Sequence, residues 1–156
     1  MGPTKPLSAE ETRRVQFFPR QVIEGMPHGD PRAALISITS PGDATARLPD
    51  GWAAVLRLEF DDVAPPFPTL IRTGNAKSEI VPFDASLAAQ VLAFVEALPS
   101  QVNRILVHCK AGISRSPAVA QFLADEYGWR LRETTDGANP YVLSILHQTA
   151  RRGTFS

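Results

Sequence analysis

The chain has 156 residues, enough for one domain with its own core. Lys plus Arg and Asp plus Glu stand at 16 each, so no global basic field attracts nucleic acid or an anionic membrane surface. The single cysteine excludes an internal disulfide framework and a zinc site of several thiolates. No apolar run approaches the ~18 residues of a membrane span. The opening MGPTKPLSAEETRR lacks the apolar stretch of a secretory signal, and Pro6 breaks the myristoylation pattern. A cytoplasmic monomer with no nucleic-acid or membrane partner is the resulting expectation.

Residues 1–13 are polar and aperiodic and read as a mobile tail ahead of a domain over 14–156. Val15 to Ile23, with VQFF and QVI around Pro19, predicts a broken or edge strand. Ala34–Ile38 (ALISI) predicts a buried strand closed by the turn signal SPGD. Ala53–Leu58 (AAVLRL) predicts a second buried strand. Residues 61–83 are proline-rich, without sustained period, and suit either a functional lid or a passive surface excursion.

Asp84 and Ser86 are candidate N-caps for a helix marked by Leu87, Val91, Phe94, Val95 and Leu98, which Pro99 closes. Arg104–His108 (RILVH) predicts a buried strand. Ser116–Tyr127 predicts a helix with Gly128 as its stop. Val142, Ile145, Leu146 and Thr149 mark a last helix. The expected fold is a single α/β domain, with a central, mostly parallel sheet flanked by helices.

The segment His108-Cys109-Lys110-Ala111-Gly112-Ile113-Ser114-Arg115-Ser116 lies between the predicted buried strand and the helix after it. Backbone N–H groups of such a loop can curl around an anion, and the helix N-terminus adds unsatisfied donors and a positive dipole end. Lys110 through Ser114 are thus candidates for phosphate binding. Gly112 opens backbone angles closed to residues with a Cβ, and Pro117 falls in the first helical turn, where its missing N–H costs nothing. Cys109 stands at the mouth of this cradle. A free thiol has a pKa of ~8.5, and a helix N-terminus with nearby cations lowers it. Arg115 offers a planar fork that grips two phosphate oxygens at once. Ser116 can donate a hydroxyl hydrogen bond to the sulfur. His108 can orient the loop or simply end the strand. As a neighbour of Cys109 on a strand it points to the opposite face, which argues against a Cys–His pair.

HCKAGISRS resembles the signature loop of the protein tyrosine phosphatase superfamily, HC-x-x-G-x-x-R-[ST], at all of its fixed positions. The resemblance extends over roughly residues 34–146, where ALISITSPGD, LRLEFDDV and NPYVLSIL are similar to segments of compact bacterial and phage phosphatases of dual-specificity type. It implies a strand–loop–helix phosphatase fold. It also implies a hydrolase of phosphorylated proteins or small phosphoesters, with Cys109 as nucleophile, Arg115 as phosphate clamp and no metal or other cofactor. In that family an aspartate on a separate loop protonates the leaving oxygen. The role falls on Asp62 of FDDV, with Asp61 the near rival. The interval from Asp62 to Cys109 is longer than the family's usual spacing, which an insertion at 63–83 explains and which leaves Glu79 as a third candidate. Related phosphatases place a polar residue near Asn139 to line the pocket or hold water; N-capping of the last helix, with Pro140 at its first position, explains Asn139 equally well.

Three alternatives stand beside this reading. Lipid phosphatases with a similar loop carry an extra Lys where this chain has Ile113; Lys110 alone leaves an inositide substrate open but disfavoured. A module that binds phosphorylated ligands without turnover is the second. The third is an arsenate reductase or a rhodanese-like enzyme, whose further cysteines or different loop placement are not found here.

Overall fold

Every residue of the second strand, β2 (Ala33–Thr39), is buried, which requires cover on both faces of the sheet. The computed structural model describes residues 13–67 and 80–153 and supplies that cover. Beside β2 lie β1 (Arg14–Pro19), β3 (Ala54–Glu59) and β4 (Arg104–Cys109), and the helices are α1 (Arg20–Glu24), α2 (Ala85–Glu96), α3 (Arg115–Tyr127) and α4 (Pro140–Gly153). The described residues form a single α/β domain around a four-stranded sheet of order β1-β4-β2-β3, in which every pairing is parallel. No described helix is long and apolar enough to cross a membrane.

The period of two along each strand sorts its side chains between the faces. Ala34, Ile36 and Ile38 of β2 and Ile105, Val107 and Cys109 of β4 join the larger core, with Val91 and Val95 of α2, Val119 and Phe122 of α3 and Leu146 of α4. Ala33, Leu35 and Leu106 turn to the other face and meet Ile23 of α1. Cys109 therefore points towards α3, and His108 lies on the α1 face, as strand alternation requires.

Two elements differ from the sequence expectation. The first strand stops at Pro19, and Val22 and Ile23 belong to a helix instead. Pro19 sits extended at the N-cap, and Arg20 and Glu24 pair across the turn at 2.9 Å, the i,i+4 spacing only a helix provides. The strand expected to be buried at Ala53–Leu58 is instead β3, the edge strand of the described sheet, which among the described residues pairs only with β2 and leaves Val55 43% exposed.

The helix ends follow their local chemistry. Asp84, not Ser86, caps α2, its carboxylate accepting the Leu87 N–H at 2.9 Å, a contact worth about 1 kcal/mol. Gly128 ends α3 in the left-handed conformation, φ 73°, with its N–H on the Ala124 carbonyl. The expected tail lies outside the described residues except for Arg13, whose guanidinium stacks 5.1 Å from the Trp129 ring centre.

Candidate active site

In an open parallel sheet, the crevice beyond the carboxyl ends of the strands is where ligands collect. Here β4 is central, and the loop that follows it, residues 109–115, is bounded by the ends of the other three strands. Pro19, at the end of β1, pairs with Cys109, and the Arg20 N–H donates to the Lys110 carbonyl at 3.2 Å. Gly112 has φ 71°, and a Cβ there would stand 2.6 Å from the Pro19 nitrogen. Glycine is thus required twice, by backbone angle and by the close approach of β1.

The Cys109 sulfur lies 3.1 Å from the Ser116 hydroxyl and accepts the Ser116 backbone N–H at 3.4 Å. Burial pushes the thiol pKa up. The Ser116 hydroxyl, the Ser116 and Gly112 backbone N–H groups and the Arg115 charge pull it down and prevail, so the pKa falls below the usual thiol value.

Arg115 opens α3 and is only 5% exposed. One of its guanidinium nitrogens, Nη1, donates to the Ser40 hydroxyl at 2.9 Å and to the Phe60 carbonyl at 2.8 Å. These partners follow β2 and β3 and fix the plane of the fork. Among the described residues, Nε and Nη2 make no hydrogen bond and are free for an anion.

His108 is fully buried, and its Nε2 lies 2.7 Å from the Ser37 hydroxyl. Desolvation lowers its pKa to about 4, so the imidazole is neutral at physiological pH. The charge that favours the thiolate therefore comes from Arg115 and not from His108.

The adjacent aspartates divide their work. Asp61 is 4% exposed; its carboxylate accepts the Val81 N–H at 2.9 Å and its own N–H donates to the Val81 carbonyl at 2.7 Å. Together with the edge-on pair Phe60–Phe83, ring centres 4.8 Å apart, it ties together the two described ends of the proline-rich segment. Asp62 is exposed and reaches the loop, its Oδ1 accepting from the Ser114 hydroxyl at 2.7 Å and from the Asn139 amide at 2.8 Å. Glu79 lies outside the described residues. Asn139 caps α4 through Oδ1, which accepts the Tyr141 and Val142 N–H groups, and also binds Asp62, so capping is only half of its role.

No known family model matches the chain. No curated protein matches it either. Among the described residues, no group of three or more His, Cys, Asp or Glu side chains could hold a metal ion. Ser37, Ser40 and the Phe60 carbonyl escaped the sequence reading. Their only sequence signal is their position at or just beyond the ends of predicted strands, and the strand order is needed to bring them to β4.

Proposed function

We propose that the protein is a cysteine-dependent phosphomonoester hydrolase of the protein tyrosine or dual-specificity class, acting through a phosphocysteine intermediate. The observation that carries this reading is the convergence at one strand–loop–helix of a thiol with lowered pKa, a guanidinium fixed through one of its nitrogens and an exposed carboxylate bonded to the loop. The Cys109 thiolate attacks phosphorus, and the bond to the leaving oxygen breaks. Loop N–H groups and Arg115 stabilise charge on the transferring oxygens. Asp62 gives its proton to the leaving oxygen and then, as carboxylate, takes a proton from the water that attacks the phosphocysteine. The S–P bond breaks, and the Ser116 hydroxyl stabilises the returning thiolate.

Apolar groups around the loop support an aromatic ester over an inositide. Ile113 is 62% exposed, and Phe67 packs edge-on to Tyr141, ring centres 5.4 Å apart, two residues beyond Asn139. Lys110 is the loop's one additional cation. A phosphorylated protein or a small aryl phosphoester is the proposed substrate class.

Hydrolysis of an aryl phosphate in the presence of chelator tests this reading. Full activity without added metal is expected, with inhibition by vanadate, which mimics the trigonal-bipyramidal transition state. Activity that disappears in chelator and returns with a divalent ion contradicts it.

A further inference from the structure

A single side chain joins the last helix to the acid. The Asn139 Oδ1 accepts the Tyr141 and Val142 N–H groups at 2.9 and 3.2 Å, while its Nδ2 donates to Asp62 Oδ1 at 2.8 Å and to the Val63 carbonyl at 3.1 Å. The orientation of the amide is determined by these partners, because a flip would set NH2 against two N–H donors and oxygen against a carboxylate and a carbonyl. The Asn139 backbone N–H also donates to the Ser114 carbonyl at 2.9 Å, and the Ser114 hydroxyl donates to the same Asp62 oxygen. Asn139 is 5% exposed, so its own side-chain bonds are partly shielded from competing water, whereas the Ser114–Asp62 bond is exposed.

We propose that Asn139 and Ser114 are positioning residues that dock Asp62 over the anion loop before substrate arrives, with Oδ1 as the held oxygen and Oδ2 as the one that carries the proton. The proposal rests on the phosphatase reading with Asp62 as the acid. A proton on Oδ1 would face the amide N–H, which cannot turn away. A proton on Oδ2 leaves both donors satisfied, and among the described residues Oδ2 accepts no hydrogen bond. Docking in the free enzyme raises the fraction of molecules competent for proton transfer, so the ordering cost is not met during each turnover.

Asn139→Asp separates positioning from capping. Its carboxylate still accepts the Tyr141 and Val142 N–H groups, and Asp is as good an N-cap as Asn. The donor to Asp62 is lost, and two carboxylates now face each other. The thermal midpoint should stay close to wild type, whereas amide exchange across residues 61–67 should quicken about tenfold or more. On a series of aryl phosphates, kcat should fall about tenfold to a hundredfold for phosphotyrosine and least for the most activated ester. Ser114→Ala should follow the same order, and Ser114→Thr, which keeps the hydroxyl, should restore the wild-type pattern. A loss of equal size across all leaving groups, or unchanged exchange at 61–67, overturns the positioning role. Asp62→Asn in the same series distinguishes the two failures. If it shows leaving-group dependence and Asn139→Asp does not, positioning alone fails. If Asp62→Asn is itself flat, the acid assignment fails and the positioning role falls with it.

Discussion

Cys109→Ser is expected to reduce kcat by on the order of 10⁴–10⁶, the scale on which loss of a covalent nucleophile registers. A serine hydroxyl stays protonated near neutral pH, and the factors that lower the thiol pKa do not bring a hydroxyl into range. Binding of inorganic phosphate or sulfate should survive in the variant. The proposed site is the loop N–H groups and Arg115, and Arg115 is held by Ser40 and Phe60 independently of the sulfur. In the wild-type protein, the acidic limb of kcat/KM should reflect the same environment. Because the thiol pKa is lowered, the nucleophilic thiolate forms below the usual thiol range, and activity rises with pH earlier than an ordinary cysteine allows. A variant that retains a tenth of wild-type kcat removes Cys109 from the nucleophile role.

Asp62→Asn should lower kcat by ~10²–10⁴, the usual yield of general acid–base catalysis. An alkoxide or a phenolate leaves poorly without a proton, so the loss should grow with the basicity of the leaving group. Asparagine can accept the Ser114 and Asn139 hydrogen bonds through its carbonyl oxygen, so the loop geometry should be kept. Asp61→Asn is the informative control. Asp61 is buried and its carboxylate accepts a backbone N–H from Val81, so its loss should appear as lower stability without leaving-group dependence. A steep leaving-group dependence in Asp61→Asn and none in Asp62→Asn would transfer the role.

The contrast between these neighbours shows how far the sequence reaches. The proposed nucleophile, cradle and clamp and the helix N-terminus are contiguous between Cys109 and Ser116, so the chemistry proposed for them is local and legible. The choice between Asp61 and Asp62 is not local. It depends on residues 80–83 returning to β3, where Phe83 packs on Phe60 and Val81 occupies Asp61. Ser37, Ser40 and the Phe60 carbonyl lie 55–75 positions before the His108 and Arg115 groups they bond and become neighbours only through the parallel order β4-β2-β3. The strand at Ala54–Glu59 shows the same limit. Its apolar residues suggest a buried strand, but burial depends on how many neighbours a strand has, and among the described residues β3 has one. Around Pro19 the apolar pattern of Val22 and Ile23 was ambiguous, and the Arg20–Glu24 pair favoured a helix.

The phosphoenzyme tests the central claim most directly. Asp62→Asn, which lacks the residue proposed to activate water, is mixed with an activated aryl phosphate and quenched within the first turnovers. The cysteine-containing peptide is then weighed by mass spectrometry. One added phosphoryl group on Cys109, absent when Cys109→Ser is treated in the same way, is the result the account predicts. Phosphate release by an enzyme whose Cys109 remains unmodified at every quench time, or a phosphoryl group on a different side chain, would contradict it.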